Sequence, residues 1–163
     1  MGSCNSKDCC DLLEDVKRIV DQYGHDRHNL IPILHDLQRT LGHVSPEVIE
    51  TVAEELGVPA SEIYGVTTFY TLFYTRPQGR YIIRLCDSPP CHIEGSKNIR
   101  DVLTKELGIE PGQTTKDGTF SFEIVSCMGL CGVAPAIMVN DDVYGNLTPE
   151  AIPEIIRKYR EAK

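Results

Sequence analysis

Hydrophobic residues recur at helical spacing through nearly the first half of the chain. They fall every three or four positions in the segments 11–23, 30–41 and 46–56, and a glycine follows each segment. Apolar side chains at this spacing share one face of an α-helix, and glycine is common where a helix ends. A further helix is predicted to begin at Ser61. The pattern therefore predicts a helical bundle module with short connections over residues 11–76.

The pattern changes at the turn-forming segment 76–79, after which short apolar runs typical of buried strands alternate with helical spacing. The predicted elements are a strand at 81–85, a helix that is capped by Ser96 and ended by Gly108, a strand at 120–125, a hairpin over 136–144 and a helix that opens at Thr148. A strand, a crossover helix and a returning strand form a right-handed βαβ unit. Residues 77–163 are therefore predicted to form an α/β domain of the order βαβ-ββα, with helices packed on a sheet.

Residues 1–10 form a polar segment before the first helical pattern, and this segment contains Cys4, Cys9 and Cys10. Chain termini are usually poorly ordered unless something holds them, so we expect a flexible tail. The alternative is that these thiols supply extra metal ligands or a redox contact to a partner.

Composition narrows the classes of function. The chain carries a net charge of −8, and its Lys and Arg residues are scattered, so nucleic acid is not an expected partner. The longest apolar run, 132–139, is far shorter than the roughly 20 residues that cross a bilayer, so membrane insertion is not expected. The N-terminal segment has no apolar core of an export signal, which predicts a cytoplasmic protein.

Four of the seven cysteines form two close pairs, and each pair follows a predicted strand. Four residues separate Cys86 from Cys91, and three separate Cys127 from Cys131. Cytoplasmic thiols are kept reduced, so this number of cysteines indicates metal binding or catalysis before disulfides. Thiol-disulfide exchange is disfavoured because the sequence contains no Cys-x-x-Cys motif.

The spacing of the two pairs fits either a 2Fe-2S cluster or a single zinc ion, because soft thiolates select both. Charge favours the cluster. Four thiolates, two sulfides and two ferric ions sum to about −2, and such a centre needs backbone N–H donors. Gly129 and Gly132 bracket Cys131, so peptide groups can approach the sulfur there without an intervening side chain.

Three ordered motifs resemble a known family. The motifs are Gly65-Val66-Thr67-Thr68-Phe69-Tyr70, the Cys86-x4-Cys91 pair, and Cys127-Met128-Gly129-Leu130-Cys131-Gly132 followed by Ala134-Pro135. Together they resemble the small 2Fe-2S subunit of NADH:quinone oxidoreductase (complex I), with counterparts in electron-bifurcating hydrogenases and NAD-dependent formate dehydrogenases. The resemblance covers residues 11–160.

The resemblance implies a thioredoxin-like domain in which Cys86, Cys91, Cys127 and Cys131 hold one 2Fe-2S cluster. It also implies that the helical module docks against a flavoprotein subunit with FMN and the NADH site, alongside further iron-sulfur subunits. This chain has no Gly-x-Gly-x-x-Gly fingerprint after a strand, so the nicotinamide chemistry belongs to the partner. The expected role is non-catalytic transfer of single electrons.

Two other classes of function stay open from the residues alone. One is a zinc-stabilised interaction module, and the other is a free-standing thioredoxin-like ferredoxin, for which the helical module would have no obvious use. The aromatic segment 67–74 is interpreted as a docking face or as packing between the modules. His92 follows a predicted ligand and either donates a hydrogen bond to the cluster or has an exposed or packing role.

Overall fold

The structure is a computed structural model that describes residues 7–161, with side chains described from residue 12 onwards. Contacts divide the chain into two compact units, Met1–Pro77 and Gln78–Lys163. Cys4 lies outside the described residues. Among the helices of residues 7–161, none combines the length and the apolar character that crossing a bilayer requires.

Within residues 7–77 the first unit contains four α-helices and one 3-10 turn. They are α1 (Lys7–Tyr23), the turn Arg27–Asn29, α2 (Leu30–Leu41), α3 (Pro46–Leu56) and α4 (Ala60–Phe69). The apolar faces of these helices form one buried cluster, in which Val16, Ile33 and Leu34 are fully buried. The Ser45 hydroxyl caps α3 by accepting a hydrogen bond from the Val48 N–H.

The first helix begins earlier than the sequence predicts. It starts at Lys7 rather than Asp11, so Cys9 and Cys10 belong to α1. The hydrophobic pattern detects a helix only where its buried face begins. Lys7 and Asp8 carry no apolar signal, although neither residue prevents a helix.

The second unit is built on a five-stranded sheet within residues 78–161. Its elements are β1 (Tyr81–Cys86), α5 (Pro89–Ile93), α6 (Ser96–Leu107), β2 (Gln113–Thr114), β3 (Phe120–Val125), β4 (Ile137–Val139), β5 (Asp142–Tyr144) and α7 (Ile152–Glu161). The strand order is β2-β3-β1-β4-β5, in which β1 and β3 are parallel and the other neighbours are antiparallel. The predicted α/β class is therefore confirmed.

One face of this sheet carries the core of the second unit. Ile83 and Leu85 of β1 pack there with Ile99 and Leu103 of α6, and Ile152 of α7 belongs to the same cluster. The crossover from β1 through α6 to β3 brings the two parallel strands side by side.

Two elements, α5 and β2, are not predicted by the sequence pattern. Each is too short for a hydrophobic period to be visible, since β2 has two residues and α5 has five. Pro89 and Pro90 occupy the first turn of α5, where proline is tolerated because its missing N–H would have no partner there. The predicted last helix begins with the 3-10 turn Pro149–Ala151 and becomes α-helical at Ile152.

Asp117 accepts three hydrogen bonds in the turn between β2 and β3. Its Oδ1 accepts from the Thr119 backbone N–H at 3.1 Å and from the Thr115 hydroxyl, and its Oδ2 accepts from the Thr119 hydroxyl at 2.6 Å. The hydrogen bonds from Thr115 and Thr119 lower the pKa of Asp117 from its ordinary 3.8 to about 2. The turn is therefore stabilised by the ionised carboxylate.

Asp117→Asn is expected to lower the thermal unfolding midpoint near neutral pH. The pKa of Asp117 is lower in the folded chain than in the unfolded chain, so its contribution is present above about pH 4 and is lost as the pH falls towards about 2. Thermal unfolding of both proteins between about pH 6 and about pH 2.5 measures the difference, which should narrow in acid. A difference that stays constant with pH would contradict this role, and Thr119→Val, which removes one donor, should reproduce part of the loss.

Candidate metal centre

The directions of the strands bring the two cysteine pairs to one edge of the sheet. Cys86 is the last residue of β1, and it pairs in register with Val125, the last residue of β3. The Asp87 N–H donates to the Val125 carbonyl at 3.3 Å, which continues the pairing one step beyond the strand. Because parallel strands end at the same edge, the segments with Cys91 and Cys127 both leave the sheet there.

Cys91 and Cys131 are placed by short helical segments next to this edge. Cys91 lies in α5, and Cys131 opens the 3-10 turn Cys131–Val133. A cis peptide bond between Ala134 and Pro135 follows, and the chain then enters β4. The Cys86 N–H donates to the Ala136 carbonyl at 3.3 Å, so the chain re-enters the sheet beside Cys86.

The sulfur atoms come together as two neighbouring pairs. The Sγ atoms of Cys127 and Cys131 are 3.7 Å apart, close to the roughly 3.8 Å expected for two thiolates on one tetrahedral metal with bonds of about 2.3 Å. The thiols of Cys86 and Cys91 are hydrogen-bond partners, and the charge of Cys86 acts on Cys131. Among the side chains of residues 12–161, no group of three or more His, Cys, Asp or Glu is arranged to hold one metal ion.

The two pairs differ in exposure. Cys86 and Cys91 are buried, with 2% and 1% of their surface exposed, whereas Cys127 and Cys131 are exposed. One side of the centre therefore faces the protein interior, and the other side is accessible from solvent.

Backbone N–H groups point at the sulfur atoms from several segments. The N–H groups of Ser88 and Met128 donate to Cys86, and the N–H of Ala136 donates to Cys91. The Gly129 N–H lies 3.4 Å from the Cys127 sulfur, and the positive φ of 79° at Gly129 favours a residue without a side chain. Donors of this kind offset the negative charge of thiolates without adding a cation.

The thiols respond differently to this environment. Burial raises the pKa of Cys86, but the hydrogen bonds from Ser88, Cys91 and Met128 together outweigh it, so its pKa is lowered. Burial and the neighbouring Cys86 raise the pKa of Cys91. The hydrogen bond and negative charge of Cys127 raise the pKa of Cys131. Sulfur atoms this close repel one another when ionised, and a bound cationic metal relieves that repulsion.

The side chain of His92 is largely exposed and lies beside Asp87. About two thirds of its side chain is exposed, and its Nδ1 lies 3.4 Å from Asp87 Oδ1. The Ser96 hydroxyl donates to the same oxygen at 2.9 Å. Asp87 and Ser96 are not predicted as site residues from the sequence, where the only available signal was an acidic residue directly after a predicted ligand.

The donor set fits an iron-sulfur cluster: four thiolates in two neighbouring pairs, with N–H groups directed at sulfur. Four cysteine donors at the edge of a sheet with this topology define an iron-sulfur protein with a thioredoxin-like domain. Residues 16–160 match the model of the thioredoxin-like 2Fe-2S ferredoxin family, and the chain belongs to this family. The predicted family, fold and 2Fe-2S cofactor are thereby confirmed.

Individual relatives are similar over most of their length. One of the subunits of the NADH-quinone oxidoreductase of Escherichia coli is 41% identical over 147 residues, which cover 90% of this chain and 89% of that protein. NADP-reducing hydrogenase subunit HndA of Solidesulfovibrio fructosivorans is 34% identical over 148 residues, which cover 91% of this chain and 86% of that protein.

A solved structure also has a similar fold. The crystal structure of an NAD+-reducing NiFe hydrogenase in the hydrogen-reduced state aligns with a TM-score of 0.70 and 26% sequence identity. The alignment covers 81% of this chain but only 22% of that chain, so the counterpart there is one part of a longer polypeptide.

Proposed function

We propose that this chain is a non-catalytic electron-transfer subunit in which Cys86, Cys91, Cys127 and Cys131 hold one 2Fe-2S cluster. It exchanges single electrons with the FMN of a partner flavoprotein subunit that carries the NADH site, within a multisubunit redox complex that has further iron-sulfur subunits. The observation that carries this proposal is the meeting of two thiol pairs at one edge of the sheet.

The pairwise arrangement supports a cluster rather than zinc. A 2Fe-2S cluster takes two thiolates on each iron, whereas a structural zinc ion takes four ligands around one centre. The 3.7 Å separation of the Cys127 and Cys131 sulfurs fits two ligands on one iron. Cys86 and Cys91, which contact each other, would then hold the second iron.

The asymmetric burial of the ligands supports an electron carrier. When bound, the cluster supplies a centre that accepts and releases one electron at a time. The buried pair, Cys86 and Cys91, would anchor it to the core, and the exposed pair would leave one side open to a partner's cofactor. Backbone donors to sulfur lower the energetic cost of the added negative charge on reduction.

The helical unit offers a surface for a partner subunit. Phe69 is 78% exposed, and Tyr64, Tyr70 and Leu72 near it are also exposed. Gln38 holds the segment after α4 in place, because its Nε2 donates to the Leu72 carbonyl at 2.7 Å and its Oε1 accepts from a backbone N–H further along. Ordered exposed aromatic residues are typical of protein interfaces. The Escherichia and Solidesulfovibrio relatives are both named as subunits, and we propose a cytoplasmic complex of this kind.

Anaerobically purified native protein tests the cofactor assignment. We expect about two irons and about two acid-labile sulfides per chain, a brown-red colour, and an electron paramagnetic resonance signal of one unpaired electron after reduction with dithionite. A colourless protein with one zinc per chain would overturn the proposal. In a second step, NADH should reduce the cluster only when the flavoprotein subunit is present. Reduction by NADH without that subunit would contradict the assignment of the NADH site to the partner.

A further inference from the structure

The carboxylate of Asp87 lies at the centre of a small network beside the proposed ligands. Its Oδ1 accepts a hydrogen bond of 2.9 Å from the Ser96 hydroxyl, and His92 Nδ1 lies 3.4 Å from the same atom. Ser96 is fully buried and opens α6, so its hydroxyl is a fixed point in the core. Asp87 is thereby bonded to the protein interior although more than a third of its side chain is exposed.

These contacts join three segments that carry proposed ligands. Asp87 directly follows Cys86, and its carboxylate contacts His92, the residue after Cys91. Its backbone N–H donates to Val125, two residues before Cys127. Through its carboxylate and its backbone N–H, Asp87 therefore links the ends of β1 and β3 to α5 and to the start of α6.

We propose that Asp87 has two separable roles at the centre: it positions the 86–91 segment through Ser96, and its negative charge sets the reduction potential. The proposal rests on the proposed function, because the charge matters only if a cluster is held by the neighbouring cysteines. Asp87 is not one of the proposed iron ligands, so it is a positioning and tuning residue rather than a catalytic one.

The electrostatic role follows from the change in cluster charge. Reduction takes an all-cysteine 2Fe-2S centre from about −2 to about −3. An aspartate is ionised at neutral pH, and a nearby negative charge makes the added electron less favourable. The partial exposure of Asp87 reduces this effect through solvent screening but does not remove it.

Two substitutions separate the roles. Asp87→Asn keeps an oxygen that can accept from Ser96 and removes the charge, so we expect the cluster to persist and to be reduced more easily. The equilibrium constant for reduction should rise by about three- to tenfold, where tenfold corresponds to 59 mV for a one-electron couple. Ser96→Ala keeps the charge and removes the buried hydrogen bond, so we expect faster loss of iron to a chelator and an unchanged potential.

The experiment is a redox titration of the native full-length protein followed by electron paramagnetic resonance, at low and high salt. The difference between wild type and Asp87→Asn should shrink at high salt, because the Debye length falls from about 10 Å at 0.1 M to about 3 Å at 1 M. Asp141→Asn is the charge-matched control. This exposed residue follows β4 at the opposite end of the strands, and its removal should leave the potential unchanged.

Each variant tests one of the two proposed roles of Asp87. An Asp87→Asn protein that holds the cluster at the wild-type potential overturns the tuning role, and a Ser96→Ala protein that retains iron as long as the wild type overturns the positioning role. Should the asparagine variant fail to bind the cluster, Asp87→Ser provides a second uncharged side chain for the same titration, and Asp87→Glu should restore the wild-type potential. A wild-type protein without iron and sulfide is a different result, because it rejects the proposed function itself.

Discussion

Cys86→Ala is expected to abolish the cluster, leaving less than about a tenth of the wild-type iron and acid-labile sulfide. Cys86 is 2% exposed, and the N–H groups of Ser88 and Met128 are already aimed at its sulfur. Alanine has no atom that can bind iron, and the buried position gives water little room to replace the thiolate. Iron and sulfide analysis with visible absorption measures the loss, while far-ultraviolet circular dichroism checks that the sheet still forms.

The matched control is Cys9→Ala combined with Cys10→Ala, which removes two thiols of α1 outside the matched cysteine motifs. This protein should keep the wild-type iron and sulfide content. Wild-type iron and sulfide content in Cys86→Ala would show that Cys86 is not a ligand. Loss of the cluster in the α1 variant would show that Cys9 or Cys10 is needed to hold it.

Gly145→Ala is expected to destabilise the fold and to loosen the cluster, although residue 145 is distant in sequence from every proposed ligand. A Cβ atom at position 145 would lie 2.5 Å from the Val133 Cβ and 2.8 Å from the Val133 carbonyl oxygen. The backbone would have to move, at a cost of about 1–3 kcal/mol, which is typical of overpacking.

The clash acts on the segment that carries Cys131. The Asn146 N–H donates to the Val133 carbonyl at 2.6 Å, and the Leu147 N–H donates to the Pro135 carbonyl at 3.1 Å. A shift at Gly145 would therefore displace the chain directly after Cys131. Urea denaturation measures the stability loss, and the rate of iron transfer to a chelator, which should increase severalfold, measures the loosening of the ligand.

Gly65→Ala is the control for this substitution. A Cβ atom at Gly65 has no neighbour within 4 Å, and the residue lies inside α4, where alanine is favoured over glycine by up to about 1 kcal/mol. This variant should be as stable as the wild type or more stable, with unchanged iron release. Equal stability and equal iron release for Gly145→Ala and the wild type would show that the contact with Val133 does not hold the Cys131 segment.

The strongly periodic parts of the sequence were predictable to within about one residue. The helix predicted at about 30–41 and the strand predicted at 120–125 have these bounds in the structure. The helix for which Ser96 was the predicted cap begins at Ser96 itself, and its cap is Gly95. Their apolar residues repeat over several turns or along a buried strand, and a glycine follows each of the two helices. Elements without a visible period, such as α5 and β2, could not be recognised in this way.

The sequence by itself determined which residues are available as ligands and which class of chemistry they support. Two close cysteine pairs after predicted strands, together with the family motifs, depend only on local spacing and residue type. The tertiary structure alone decided that Cys86 and Cys91 are buried while Cys127 and Cys131 are exposed, that Ser96 fixes Asp87, and that Gly145 contacts Val133. Burial and contacts of this kind depend on residues that are separate in the chain, and they arise only when the parallel strands and the returning hairpin bring those residues to the same edge of the sheet.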